Sequence, residues 1–366
     1  MNRAALTLLA LVSFAGAAAA DPTFTKVVVF GDSLSDTGNT RALGLSRPEN
    51  PFYSNGRWTN DRENTALARM NMQTASFTGV WHERLADLLI GPGNRAVNSR
   101  AGGARATNYA YGGATTAEGI VTRRVFGRDI EIGRNMGTQV RDYVSTLGAR
   151  GAASDNLYVL WGGGNDLRDR AMAADPTAAA LRTTARTAVS NIESQIRLLS
   201  EHVPQGREIT ILWPNVPPLE LTPEGRALGA GARTALAEAC ALFKSEQLHA
   251  FNRLKDSAPN IVVRTMDVHG MFDQLVRGRL WWTPGDATRN IVAAGDFSAA
   301  IFTPRRNPAV AGRINPDDYV FWDQLHPTSR VHFLLGSYAQ HMVPSPGSGV
   351  LMLAGLCCFG GRRRSA

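Results

Sequence analysis

The sequence predicts an α/β protein in which helices cover both faces of a central, mostly parallel sheet. Four short runs consist almost entirely of apolar and β-branched residues, as expected for strands that are buried on both faces. These runs are residues 26–30, 157–161, 209–213 and 261–265. Segments with apolar residues at helical spacing lie between and after the runs. Strands that alternate with helices in this way are typical of a parallel sheet with helices on both sides.

The predicted helices follow from apolar residues that recur every three or four positions. The stripes comprise Trp81, Leu85, Leu88 and Leu89; Val189, Ile192, Ile196 and Leu199; and Leu236, Cys240, Phe243 and Phe251. A fourth helix is predicted over 328–342. Cys240 lies on an apolar helical face, so we expect a buried thiol rather than half of a disulfide. Residues 37–78 and 280–320 are rich in Gly, Pro, Asn and Arg, and they are long for simple connections between secondary-structure elements. In an α/β enzyme such stretches usually form the walls of the active site. We therefore expect one catalytic domain, 21–342, with elaborated loops.

The first twenty residues have the composition of a secretory signal. Arg3 supplies a short basic start, residues 6–14 are mostly apolar, and 17–20 are all alanine. The alternative, a buried first helix, lacks an amphipathic stripe. We therefore expect residues 1–20 to be a signal peptide and the protein to be exported to the cell envelope or beyond.

Residues 343–366 combine a Pro-rich turn, an apolar run over 349–359 and three arginines at 362–364. The apolar run is shorter than the roughly 17–25 residues that span a bilayer. This order resembles the PEP-CTERM sorting signals of Gram-negative bacteria, with Ser345 in place of their central glutamate. The resemblance implies removal of the tail by an exosortase and association with the envelope. A frayed hydrophobic C-terminus is the alternative.

The net charge excludes few classes of function. It is formally +8, but four of the positive charges lie in the two end segments, which contain no acidic residue. The remaining +4 is a weak excess, and no basic run with interleaved aromatic residues is present. Nucleic acid is therefore not a predicted partner. No paired-cysteine motif or HxxxH spacing indicates a metal site.

A candidate nucleophile directly follows the first predicted strand. Ser33, in Gly31-Asp32-Ser33, lies at the carboxyl end of a central parallel strand, where open α/β sheets bind ligands. A serine hydroxyl needs a neighbouring base. Asp323 precedes His326 by three residues, so it can fold back within one turn and accept a hydrogen bond from Nδ1–H, leaving Nε2 for the serine proton. Each of these motifs alone is more often a turn or a helix cap.

Four sequence blocks, in order along the chain, resemble the GDSL family of SGNH hydrolases, in particular its bacterial phospholipase- or lecithinase-like branch. The blocks are GDSL at 31–34, NYAYGGAT at 108–115, GGND at 163–166 and DQLHP at 323–327, and SNGRW at 54–58 matches a supporting stretch of the branch. The resemblance covers about 26–342. It implies a flavodoxin-like, three-layer α/β/α fold and hydrolysis of carboxylic esters, with lipidic esters as the leading substrates and no cofactor.

The resemblance also assigns the catalytic roles. Ser33 is expected to be the nucleophile, His326 its base, and Asp323 the carboxylate that orients the base. No block departs from the family pattern at a catalytic position.

An oxyanion hole is implied by the same blocks. Its expected donors are the backbone N–H of Ser33, the side-chain amide of Asn165 and the backbone N–H of one glycine in the second block. Gly113 is the expected glycine, and Gly112 is the alternative.

Rival residues exist for the base and for its carboxylate. His249 follows Glu246 by three residues, but this pair lies within a helical stripe, where such pairs are ordinary surface chemistry. Asp317 and Asp318 lie close enough in sequence to replace Asp323. We expect neither His249 to act as the base nor Asp317 or Asp318 to orient it.

Two other functions stay open at this point. A carbohydrate O-acyl esterase acting on extracellular polysaccharide would fit the sorting tail, and Trp281-Trp282 could line its sugar site, line an acyl site or belong to the core. A non-catalytic surface or matrix protein on a hydrolase scaffold would be expected to have lost a block residue, and none is lost.

Overall fold

The structure is a computed structural model that describes residues 24–42, 53, 56–60, 76–125, 128–278, 286–290, 292–293, 305–306 and 312–343. In chain order, its strands are β1 (Lys26–Gly31), β2 (Ile120–Val125), β3 (Arg128–Arg134), β4 (Asn156–Trp161), β5 (Ile209–Pro214), β6 (Ile261–Met266), β7 (Asp286–Asn290), β8 (Val292–Ala293), β9 (Arg305–Arg306) and β10 (Tyr319–Phe321). Its α-helices are α1 (Asn39–Ala42), α2 (Trp81–Leu89), α3 (Ser99–Gly102), α4 (Met136–Ser145), α5 (Gly164–Ala171), α6 (Ala178–Ser200), α7 (Pro223–Ala227), α8 (Ala230–Ser257), α9 (Val268–Val276) and α10 (Ser329–Met342).

The central sheet is parallel, with the strand order β1-β4-β5-β6. On the free edge of β1 the chain around Asn108 runs parallel to the strand. There Val29 N donates to Thr107 O at 2.7 Å, and Tyr109 N donates to Val29 O at 2.8 Å. With this segment counted second in the chain, the order is 2-1-3-4-5, as in flavodoxin-like folds.

Helices pack on both faces of this sheet. Because successive strand residues point to opposite faces, Val28 and Phe30 pack towards α4, α5, α6 and α8, whereas Val27 and Val29 pack towards α2, α9 and α10. Strands β4 and β5 are buried along their whole length, and β1 is buried beyond its first residue. The predicted α/β class, with three layers around a parallel sheet, is confirmed.

The predicted elements match the observed ones closely. Each predicted strand ends within one residue of β1, β4, β5 or β6, and the apolar stripes become α2, α6 and α8. The helix predicted over 328–342 is α10. Cys240 is fully buried with a free thiol, as predicted, and burial raises its pKa.

Several predictions fall outside the described residues. Residues 1–20, most of the sorting segment 343–366, and Trp281 with Trp282 belong to this group, so the predictions for them stay predictions. Within the described part of the chain, no helix combines the length and apolar character needed to cross a membrane.

Candidate active site

The candidate site is a cleft at the edge where the parallel strands end. Asp32 and Ser33 follow β1, Asn165 lies just after β4, and Pro217 follows β5; all four line this cleft. His326, from the loop before α10, completes it. Because parallel strands end at the same edge, the loops that follow them gather there although they are far apart in sequence.

Ser33, His326 and Asp323 form one chain of hydrogen bonds. The Nε2 atom of His326 lies 2.8 Å from Ser33 Oγ, and its Nδ1 atom lies 2.8 Å from Asp323 Oδ2. All three side chains are buried. In this arrangement imidazole can take the serine proton while the carboxylate holds the ring in the required tautomer. The structure thus brings together the three residues that the sequence assigns to one triad.

Asp323 accepts four hydrogen bonds that the described residues show. Its Oδ1 atom accepts the backbone N–H groups of Leu325 at 2.8 Å and His326 at 2.7 Å, as expected for an acid that folds back within one turn. Its Oδ2 atom accepts from His326 Nδ1 and from the hydroxyl of Tyr53. Burial acts to raise the pKa of Asp323, but the charge and hydrogen bonds of His326, with that of Tyr53, outweigh burial and lower it. The carboxylate is therefore held ionised.

The second block forms a tight turn beside Asn165. Ala114 N donates to Tyr111 O at 3.2 Å, and Gly113 adopts φ +78°, which favours glycine at the third position of a turn. The side-chain nitrogen of Asn165 donates to Ala114 O at 2.9 Å, so the amide is fixed next to the turn. Its second N–H has no hydrogen-bond partner among the described residues.

The two glycines of this turn differ in what their N–H groups bind. Gly112 N donates to Thr40 Oγ1 at 2.8 Å and to Asp36 Oδ2 at 3.1 Å, so it is committed to the scaffold. The N–H groups of Gly113 and Ser33 have no hydrogen-bond partner within the part of the chain that the structure describes. Because only an uncommitted N–H can donate to a bound oxyanion, this geometry favours Gly113 over Gly112.

Residues of the supporting stretch SNGRW, together with neighbours that the sequence analysis did not single out, pack against the Asp–His pair. The ring of Trp58 lies over that of His326, with 5.4 Å between centroids and 30° between planes, and the Tyr53 ring lies 5.7 Å from Trp58. Thr59 Oγ1 donates to Pro327 O at 2.8 Å, directly after the histidine. We call Tyr53 with residues 56–60 the clamp segment. Its contacts hold the loop that carries His326 in place.

The clamp segment is fixed at two further points. The Asn60 side chain exchanges two hydrogen bonds with Ser329 at the start of α10, of 2.9 and 2.8 Å. Arg57 binds Glu83 of α2 through two hydrogen bonds. No local sequence signal connects Tyr53 with Asp323, 270 positions away, so sequence reasoning did not find it.

The rival residues lie elsewhere. His249 is exposed on α8 with its Nδ1 atom 3.8 Å from Glu246, as predicted for surface chemistry. Asp317 accepts the N–H of Ser76 at 3.0 Å, and the carboxylate that reaches His326 is Asp323.

The walls of the cleft are largely apolar. They include Leu34, Trp161, Leu219, Phe272 and Leu325. The cleft encloses about 520 Å³, part of which is open to solvent.

A second hollow of about 230 Å³ adjoins the cleft. The two share Leu219, Thr222 and Leu325, and Met172 and Leu228 also line the second one. Apolar residues thus continue beyond the first cleft, and the ion pair of Arg168 with Glu224 also lines the second hollow.

A family model described as GDSL-like lipase/acylhydrolase matches residues 27–338 of the chain. The chain belongs to this family. The predicted family membership and the prediction of a carboxylic ester hydrolase are thereby confirmed.

Two curated relatives agree with this membership. Phosphatidylcholine-sterol acyltransferase of Aeromonas hydrophila is 24% identical over 382 residues, covering 94% of this chain and 98% of the relative. Lipase 1 of Photorhabdus luminescens is 29% identical over 256 residues, which cover 69% of this chain and 30% of that lipase. A solved structure, that of a gut microbial diltiazem-metabolizing enzyme, is 11% identical, covers 87% of this chain and 47% of its own, and has a TM-score of 0.39, too low to support an inference.

Proposed function

We propose that this GDSL-family ester hydrolase cleaves acyl esters of lipids through an acyl-enzyme on Ser33. The observation that carries the proposal is the contact between His326 Nε2 and Ser33 Oγ, with Asp323 behind the imidazole. A hydroxyl in this position can be activated by proton transfer, whereas a serine without a base is a poor nucleophile.

The acylation step follows from the geometry. As Ser33 Oγ bonds to the ester carbonyl carbon, His326 Nε2 takes its proton, and the carbonyl oxygen becomes an oxyanion. The N–H groups of Ser33 and Gly113 and the free amide N–H of Asn165 are the proposed donors to that oxyanion. When the tetrahedral intermediate collapses, the bond to the alcohol oxygen breaks, and the alcohol leaves with the proton from His326.

Deacylation uses the same groups in the same order. A water molecule loses a proton to His326 Nε2 and attacks the acyl carbonyl, and the second intermediate releases the carboxylic acid. The proton then returns to Ser33 Oγ. Throughout, Asp323 stays ionised and stabilises the imidazolium by accepting a hydrogen bond from its Nδ1–H group.

The character of the cleft supports an acyl chain as the bound group. Its walls, with Leu219 and Phe272 among them, offer apolar surface, and burial of each methylene on such surface contributes about 0.8 kcal/mol. The charged or titratable residues among its lining are Asp32 and His326, both next to the nucleophile. The names of the two relatives, a lipase and a phosphatidylcholine-sterol acyltransferase, point the same way.

The test compares substrates on purified protein. We expect hydrolysis of p-nitrophenyl esters and phosphatidylcholine vesicles, and loss of at least about 10³-fold in kcat for Ser33→Ala. Equal turnover by wild type and Ser33→Ala would refute the proposal. Preferential release of acetate from acetylated xylan would instead assign the carbohydrate esterase function.

The length of the substrate's acyl chain gives a second arm of this test. Leu219→Trp adds bulk where the cleft meets the second hollow. We expect kcat/KM for p-nitrophenyl dodecanoate to fall roughly tenfold while that for the acetate changes little. An equal effect on both esters would contradict an acyl chain at this place.

We also propose that the protein is exported and that its C-terminal segment is processed. The composition of residues 1–20 and the order of turn, apolar run and arginines over 343–366 support this. Mass spectrometry of the protein recovered from cells should show the loss of residues 1–20 and of residues beyond Pro346 or close to it. An intact chain at the surface would contradict processing.

A further inference from the structure

We propose that Tyr53 is a positioning residue that acts on catalysis through Asp323, by a hydrogen bond to the same carboxylate oxygen that His326 uses. The inference rests on the proposed function of the triad, and it assigns to the clamp segment a role in the reaction beyond packing.

The geometry places one oxygen between two donors. Tyr53 Oη lies 2.5 Å from Asp323 Oδ2, and His326 Nδ1 lies 2.8 Å from the same atom. Tyr53 is 7% exposed and Asp323 is fully buried, so water competes little for either group. A hydrogen bond between these groups is therefore stronger than one at the surface.

The tyrosine acts as a donor at every working pH. Burial, together with the charge of Asp323 and their hydrogen bond, raises the pKa of Tyr53 well above its usual value. The hydroxyl thus stays protonated, and its proton points to Asp323 because the ionised carboxylate can only accept. Tyr53 fixes the rotation of the carboxylate about its Cβ–Cγ bond and disperses charge that would otherwise be concentrated on the atom facing the imidazole.

The clamp segment gives this contact a fixed position. Trp58 packs against the ring of Tyr53 and against that of His326, so one aromatic side chain holds both partners of Asp323 Oδ2. Arg57, the neighbour of Trp58, is bound to Glu83 of α2. The hydroxyl is thereby delivered from a rigid support, which catalytic positioning requires.

The role predicts an effect on pH dependence. Among the described residues, the titratable groups that act on Asp323 are His326 and Tyr53, and those that act through charge with His326 also include Asp32 and His332. Removing the Tyr53 hydroxyl leaves the charges of Asp32 and His332 unchanged. The negative charge of Asp323 is then more concentrated on Oδ2, the atom that faces the imidazole. The imidazolium is then stabilised more, and the acidic limb of kcat/KM moves to higher pH.

The experiment uses Tyr53→Phe, which keeps the ring and its contact with Trp58. We expect kcat for p-nitrophenyl butyrate to fall about tenfold, less than the roughly 10⁴-fold loss typical when a triad carboxylate loses its charge, with KM changed by less than about twofold. The acidic limb should move up by about half a pH unit. Tyr143→Phe is the matched control, because it removes a buried hydroxyl that contacts Tyr158 Oη at 3.1 Å on the opposite face of the sheet, and it should leave kcat and the limb unchanged.

A double-mutant comparison separates positioning from other effects. In the Asp323→Asn background, Tyr53→Phe should cause no further loss of kcat, because the charge through which Tyr53 acts is already absent. A tenfold loss that persists in that background, or an unchanged kcat in the single variant, would overturn the inference. Loss of activity in Ser33→Ala beside an unaffected Tyr53→Phe would refute the inference alone, whereas a fully active Ser33→Ala would refute the proposed function.

Folding is part of the readout. If Tyr53→Phe fails to fold but Tyr53→Phe/Asp323→Asn folds, as judged by near-ultraviolet circular dichroism, then the double variant is compared with Asp323→Asn: an equal kcat supports the inference, and a further tenfold loss overturns it. If both fail to fold while Asp323→Asn folds, the hydroxyl acts independently of that charge, and the inference is wrong.

Discussion

The buried ion pair between Arg57 and Glu83 offers a sharp test of how the clamp segment is held. Arg57 Nε lies 2.7 Å from Glu83 Oε2 and Nη2 lies 2.6 Å from Oε1, so the pair is bidentate. Glu83 Oε2 also accepts the N–H of Val80 at 2.8 Å at the start of α2. Only 3% of the Glu83 side chain and 16% of that of Arg57 are exposed. Loss of Arg57 would leave the buried carboxylate with the Val80 N–H and with Arg95, whose Nη1 atom lies 3.8 Å from Oε1 and whose side chain is 34% exposed.

The size of the effect follows from the pKa of Glu83. Burial acts to raise it, but the hydrogen bonds and charge of Arg57, together with the charge of His82 and the Val80 N–H, outweigh burial and lower the pKa from 4.5 to about 2. This difference corresponds to about 3 kcal/mol of unfolding free energy at neutral pH. It is fully present above pH 4.5, the ordinary pKa, and is lost as the pH falls from there towards 2. Removal of one partner of a buried pair typically costs about 3–5 kcal/mol, which agrees.

We therefore expect Arg57→Met to lower the free energy of unfolding by about 3 kcal/mol at pH 7. The measurement is urea denaturation followed by tryptophan fluorescence. The double variant Arg57→Met/Glu83→Gln should recover part of the loss, because no buried charge remains. The difference between wild type and Arg57→Met should be smaller at pH 3.5 than at pH 7.

A matched control is Arg141→Met. Arg141 pairs with Glu118 at 2.6 Å, but the two side chains are 63% and 61% exposed, so we expect a change below about 1 kcal/mol. If Arg57→Met destabilised the protein no more than Arg141→Met, the reasoning about the buried pair would be wrong.

Two further predictions concern the oxyanion and acid stability. Asn165→Ala should lower kcat for p-nitrophenyl butyrate by roughly 10²–10³-fold with little change in KM, and an unchanged kcat would remove Asn165 from the oxyanion hole. Burial, with the charges of His326 and His82, lowers the pKa of His332 from 6.5 to about 3, so the folded state binds this proton less readily than the unfolded state. Its contribution to stability is complete above pH 6.5 and declines by about 1.4 kcal/mol per pH unit below it. His332→Gln should therefore show a shallower fall in urea midpoint between pH 6.5 and 4, and parallel curves would contradict this.

Much of the sheet could be predicted because burial on both faces leaves a local mark. Strand β4 has no exposed residue, and β5 likewise, so each is a continuous apolar run that stands out from its neighbours. The triad could also be predicted from the sequence, because Asp323 and His326 are neighbours in one turn and Ser33 directly follows a recognisable strand. Asp323 and His326 are close in sequence, and the position of Ser33 is fixed by the direction of the strand before it.

What could not be predicted depends on contacts between distant segments. The sequence predicts Gly113 and leaves Gly112 as the alternative; the two differ in the structure because Gly112 N donates to Thr40 and Asp36, more than 70 positions away, and no local pattern shows this. The contact of Tyr53 with Asp323 spans 270 positions. Neither leaves a periodic or compositional signal, since one polar side chain in a loop is compatible with many partners.

The separation of nucleophile and base also has a consequence during synthesis. Ser33 and His326 lie 293 positions apart, so the loop that carries His326 is translated long after the serine. At about 5–20 residues per second, the ribosome needs roughly 15–60 s to reach the histidine after it has added the serine. Until that loop docks, the nascent polypeptide carries at position 33 an unactivated alcohol, and the ester bonds around it are safe from attack.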